Sequence, residues 1–111
     1  MNTTIKLLLL SFALMILSSC SNKMNDFDLM CDFFDTLAME NKNMTSSQKA
    51  TFINELAAKK LSSDSPALES LKAVVGFEPA EGRYSLYKDA AEVTIKKDWE
   101  CASIKKQLKM L

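Results

Sequence analysis

The chain has 111 residues, with 14 basic and 14 acidic side chains and therefore no formal net charge. A nucleic-acid binder usually carries a basic excess, so that class is disfavoured. The absence of histidine removes Ser-His-Asp and Cys-His catalysis, the usual zinc sites and the commonest general base at neutral pH, and two glycines cannot build a Walker loop or a Gly-x-Gly-x-x-Gly turn.

The first element is a leader. Residues 1–6 carry Lys6 and no acid, and residues 7–17 are apolar apart from Ser11. This run is shorter than the roughly 20 apolar residues that cross a bilayer, so it reads as a secretory signal. It closes on Leu17-Ser18-Ser19-Cys20, which resembles the lipobox of bacterial lipoproteins, where a small residue precedes the cysteine that becomes lipidated. The resemblance implies cleavage before Cys20, a diacylglyceryl thioether on that residue and usually a third acyl chain. One acyl chain holds marginally at about 0.8 kcal/mol per buried CH₂, and two or more hold firmly. In Gram-negative lipoproteins an Asp after the cysteine often retains the protein in the inner membrane. Ser21 in that place implies the periplasmic face of the outer membrane, if the host is Gram-negative. The resulting division is a lipoprotein signal peptide over residues 1–19, a short tether over 20–25 and one helical domain over 26–111.

After the tether, residues 25–41 read as a helix. Phe27, Met30, Cys31, Phe34, Leu37 and Ala38 recur at three- and four-residue steps, with Asp28, Asp32 and Asp35 on the opposite face. Residues 41–44 read as a turn. A second helix opens on a capping box, with Thr45 or Ser46 as N-cap and Gln48 three residues beyond Thr45, and should end near Leu61. Its apolar face is Phe52, Ile53, Leu56, Ala57 and Leu61. A third has Ser65 as N-cap and Pro66 in its first turn, a stripe of Leu68, Leu71, Val74 and Val75, and Gly76 placed to end it in a left-handed conformation.

Residues 77–83 form the longest non-helical connection. Helix should resume at Ser85 or Asp89, where Asp89 and Glu92 form a second possible capping box, and continue to about Leu108. In the Asp89 case the segment from Tyr84 would be a short extended piece. Tyr87, Ala91, Ile95 and Trp99 share one stripe, and Cys101, Ile104 and Leu108 continue on its neighbour, with a bend possible near Lys97 and Asp98. The fold class is all-α: a small bundle of four, at most five, helices. In the oxidising compartment that the lipobox implies, Cys20 is taken by lipid, so Cys31 and Cys101 remain as an even pair and should form one disulfide stapling the first helix to the last.

Several residue groups bear on function. The acidic first helix and the lysine-rich last segment suggest elements lying side by side, with separate charged docking faces as the sharper alternative. Asp28, Asp32 and Asp35 read as a solvated face, since metal ligands converge from several elements and catalytic carboxylates need burial. Met24, Met30, Met39, Met44 and Met110 are too scattered for a copper(I) site. Neither a metal nor another cofactor is expected, and no catalytic residue is assigned. Phe77, Tyr84, Tyr87 and Trp99 surround the longest loop, with Arg83 beside them. They either close one end of the bundle or form an interaction surface, because Tyr and Trp join a large apolar body to a polar tip.

In size, helicity and the Cys-Asp-Phe-Phe run at Cys31, the mature chain is similar to acid-stress periplasmic chaperones. The late second cysteine departs from their pattern, and no residue role is carried over. The functional expectation is a non-enzymatic, membrane-anchored envelope lipoprotein that binds a protein partner. A carrier of a small apolar ligand is the alternative, and a chaperone-like or immunity protein a remoter one. The carrier would need an internal pocket lined by the Phe and Leu stripes.

Overall fold

Three- and four-residue apolar spacing becomes helix almost throughout. The computed structural model describes residues 24–40 and 43–111, so the leader, Cys20 and its lipobox lie outside the described residues. The architecture is all-α: α1 (Asp26–Glu40), α2 (Ser46–Lys60), α3 (Pro66–Val75), α4 (Arg83–Ile95) and α5 (Ala102–Gln107), with 3₁₀ turns at Ala80–Gly82 and Leu108–Met110. Among the described residues there is no strand.

Helix α1 is the central element and touches α2, α3 and α5. A helix contacted on several sides buries more than one stripe. Phe27, Met30, Phe33, Phe34 and Leu37 are all buried, and Phe33 joins the core from outside the expected stripe. Ala38, expected within it, is exposed, while its neighbour Leu37 is fully buried, so the packed side of α1 at that turn is the Leu37 side. The other principal contact is α3 with α4.

The capping box of α2 forms as expected. The Thr45 hydroxyl accepts from the Gln48 N–H at 3.1 Å, and the Gln48 side chain accepts from the Thr45 N–H at 2.9 Å. Only Ile53 and Ala57 of its apolar residues are deeply buried within the helix; Phe52 and Leu56 pack at the edge.

Two expectations for α3 are corrected. Ser65 occupies the N-cap position and Pro66 opens the helix, but the serine hydroxyl makes no cap bond. It donates instead to Asp26 Oδ2 at 2.7 Å, tying α3 to the start of α1. Gly76 sits at φ −91°, so the helix ends without a left-handed residue there. Among the described residues, positive φ is found at Asn43 and Lys96.

Residues 77–82 are not purely irregular, since Ala80–Gly82 is a 3₁₀ turn following a cis Glu78–Pro79 bond. A Cβ on Gly82 would lie 3.0 Å from the Phe77 ring, so this glycine lets the ring settle against the entry to α4. Helix α4 then begins at Arg83, which places Tyr84 within it and leaves Asp89 in its interior instead of at a cap. The anticipated bend near Lys97 is a full break. Lys96 ends α4 in a left-handed conformation at φ 61°, residues 97–101 run without helix, and Cys101 caps α5. The Cys31–Cys101 disulfide is present and joins α1 to the start of α5.

Candidate functional site

The expected interaction residues converge on residues 97–101, a strap between α4 and α5. The reversal at Lys96 turns the chain back across the end of α4. Trp99 then points inward and is 5% exposed. Its indole lies edge-on to Phe27 and Tyr87, with centroids 6.0 and 5.8 Å away, and is tilted against Tyr84 at 6.4 Å. Phe27 and Tyr87 are themselves edge-to-face at 5.4 Å. Such pairs contribute about 0.5–1.5 kcal/mol beyond area burial.

Trp99 and Cys101 anchor the strap by hydrogen bonds to α1 and α4. Trp99 Nε1 donates to Asp28 Oδ1 at 3.0 Å, and its backbone N–H donates to Glu92 Oε2 at 2.9 Å. Lys88 Nζ donates to the Trp99 carbonyl at 2.9 Å and to Glu92 Oε2 at 2.6 Å. The Tyr84 hydroxyl accepts from the Cys101 N–H at 2.9 Å. The disulfide and a Ser103–Asp35 hydrogen bond complete the seam between α5 and α1.

These contacts set the local protonation. The Glu92 hydrogen bond holds the Lys88 ammonium above its ordinary pKa. Donation from Lys88, then from the Trp99 N–H, holds the Glu92 carboxyl below its own. Near neutrality both are charged and engaged, so neither is poised to transfer a proton. Burial, and secondarily the Asp26 charge, push the Tyr87 phenol far upward; its hydroxyl stays protonated and donates to the Ala67 carbonyl at 3.0 Å. An open depression of about 670 Å³ lies over this network, lined by Lys88, Glu92, Asp98, Trp99 and Glu100.

The expected surface Phe77, Arg83, Tyr84, Tyr87 and Trp99 is therefore corrected in most of its members. Tyr87 is fully buried, Trp99 nearly so, and Tyr84 half-buried. Arg83 is 6% exposed, with Nε donating to the Phe77 carbonyl at 2.8 Å and Nη1 to the Leu108 carbonyl at 3.3 Å. It clamps the loop to the final 3₁₀ turn. Phe77, 40% exposed, alone remains at the surface. The physical reasons are that Arg83, Tyr84 and Tyr87 lie on the packed side of α4, and that the break at Lys96 folds Trp99 back onto Tyr84, Tyr87 and Phe27.

The carboxylates divide in the same way. Asp32 is exposed, as a solvated face requires, but half-buried Asp28 accepts the indole N–H. Among the described residues, the side-chain ion pairs are Arg83–Glu78 and Lys88–Glu92. Acidic α1 and lysine-bearing α5 do lie side by side, yet the disulfide at the start of α5 and the Ser103 hydroxyl join them instead of salt bridges. Lys88 and Glu92 went unassigned in the sequence although their four-residue spacing is visible there. Asp28 gave no such local signal.

The chain matches no protein-family model, no curated protein and no solved structure.

Proposed function

We propose that the protein is an exported lipoprotein, anchored through acyl chains on Cys20, whose disulfide-stapled bundle serves as a non-enzymatic interaction module at the cell envelope. In a Gram-negative host its place is the periplasmic face of the outer membrane. The observation that carries the reading is the pairing of Cys31 with Cys101 in a chain whose residues 17–20 resemble a lipobox. Structural disulfides persist in oxidising compartments, the destination the leader encodes. The site supports a recognition role over catalysis, because Lys88 and Glu92 beneath the strap are bonded to each other and to the Trp99 backbone. Phe77 and the turn that follows it are the part of the aromatic group open to a partner.

The carrier reading has less support. Phe27, Met30, Phe34 and Leu37, which would line an internal pocket, are at most 1% exposed and belong to one core cluster. Two apolar depressions beside α2 and α3 are open grooves, of about 210 Å³ at Ile53, Leu71 and Val75 and about 370 Å³ at Ala58, Leu61 and Leu68.

The test begins with mass spectrometry of the mature N-terminus and membrane fractionation of Cys20→Ser. Loss of acylation and release from the membrane are expected, and continued membrane attachment would overturn the anchor. Crosslinking and affinity capture of the wild type from native membranes then reads the interaction. One stoichiometric protein partner supports the module, whereas co-purifying apolar small molecules would favour the carrier.

A further inference from the structure

The solvent side of α4 carries apolar residues where a surface helix normally carries polar ones. Leu86 is 41% exposed and Val93 is 78% exposed, while Ala90 between them is half-buried. Single exposed apolar side chains are ordinary. These three recur at four and then three residues, which stacks them into one stripe along the helix. Exposed Phe77 extends the stripe, because its ring lies against Gly82, one turn before Leu86. Val93 contributes nothing to the core in this position and is a poor helix former, so the fold of a single chain does not explain it.

The pattern is also self-complementary. Leu86 and Val93 are equidistant in sequence from the Asp89–Ala90 peptide bond, and the small Ala90 sits near the centre, where helices can approach closely. Exposed Glu78 and Glu81 lie at the N-terminal end of α4, and exposed Lys96 and Lys97 at its C-terminal end. Asp98 and Glu100 also follow the helix, but they line the depression on the Lys88–Glu92 side, away from the stripe.

We propose that this face binds a second copy of the chain, with the two α4 helices antiparallel across a two-fold axis near Ala90. Leu86 of each copy then meets Val93 of the other, and each acidic end meets a basic end, as an isologous interface requires. Exposed Asp89 sits about 100° around the helix from Ala90, at the margin of the stripe, where its carboxylate keeps its water. Helix α4 has 13 residues and is about 20 Å long, so the contact falls below the roughly 800 Å² per partner of a standard interface. The dimer is correspondingly weak and is best read by crosslinking. The inference depends neither on the lipid anchor nor on an envelope partner.

The experiment uses the full chain in intact cells, so that it reads the dimer whether or not the chain is membrane-attached. Leu86→Cys and Val93→Cys are made separately and coexpressed, and a bismaleimide crosslinker of short span is applied. Crosslinked dimer from the coexpressed pair should exceed that from either variant alone. Thr51→Cys, on exposed α2, should give little. Adding Val93→Asp to an Ala90→Cys chain should reduce Ala90 crosslinking about tenfold, since a carboxylate would be buried in the contact, with the circular-dichroism melt unchanged. Equal crosslinking at all positions, stronger capture of each variant with itself than of the pair, or insensitivity to Val93→Asp would overturn the proposal. So would a product whose mass is that of a different protein. If Ala90→Cys fails to fold, the separate Leu86 and Val93 variants still decide.

Discussion

The strap at residues 97–101 and helix α2 are held by different physics. The strap is fixed by a disulfide, four packed rings and hydrogen bonds reaching α1 and α4. Helix α2 has its own capping box and two deeply buried apolar residues, and among the described residues its side chains make no hydrogen bond to another helix. One region is specified by directional contacts between residues far apart in sequence. The other is specified locally and held by burial alone, which any apolar surface of suitable shape can provide. Rigidity is thus concentrated at one end of the molecule, and α2 is the element expected to open at lowest free energy.

The largest expected effect comes from removing the staple. Replacing Cys31 and Cys101 by Ser should cost about 4 kcal/mol from the restored freedom of the unfolded loop, which spans a sequence separation of 70, as read by denaturant unfolding. Trp99→Ala should follow at about 3 kcal/mol, towards the low end for a truncated buried aromatic because it lies at the rim of the core. By contrast, Thr45→Ala at the cap of α2 should cost about 1 kcal/mol, and hydrogen exchange should show the gain in opening confined to α2. An equal rise in exchange at the strap would mean that the two regions open together, and the contrast would fail.

The smallest effect concerns pH. Because the Glu92 pKa is lowered in the fold, its contribution is present above the ordinary carboxylate range and is lost as pH falls through the folded value. The Lys88 pKa is raised, so its contribution is present below the ordinary lysine range and is lost as pH rises through the folded value. Wild type should therefore melt above Glu92→Gln at neutral pH, and the gap should close on acidification through the lowered Glu92 value. A gap that persists in acid would remove the ionised carboxylate from the account of the strap.

The same contrast marks what could be read from the residues in order. The Thr45–Gln48 capping box was legible because both partners lie within one turn. The helical spans of α1, α2 and α3 were legible because their apolar periods are long. Ser65 reads as a cap because serine is favoured at that position and Pro66 follows in the first turn, yet its hydroxyl reaches Asp26, 39 residues away. Asp28 looked like solvated surface, since its partner is an indole 71 residues along the chain. The break after Ile95 was weakly signalled because Trp99 falls one helical turn further on and keeps the stripe in phase. The aromatics are therefore legible as a group, but the inward direction of Trp99 depends on the reversal at Lys96, and a lysine gives little local warning of left-handed backbone. Nor did the period distinguish the buried side of α4 from the Leu86–Val93 stripe, because both are apolar.

Trp99 is the sole tryptophan in the chain. With its ring enclosed and its N–H bound to a carboxylate, its emission should shift to the red when the strap opens and water reaches the indole. That signal reports one end of the molecule only, while far-ultraviolet dichroism averages over every helix. Heating watched both ways would resolve the order of events without any label: a dichroism loss that precedes the emission shift would record α2 melting from a still-fastened strap.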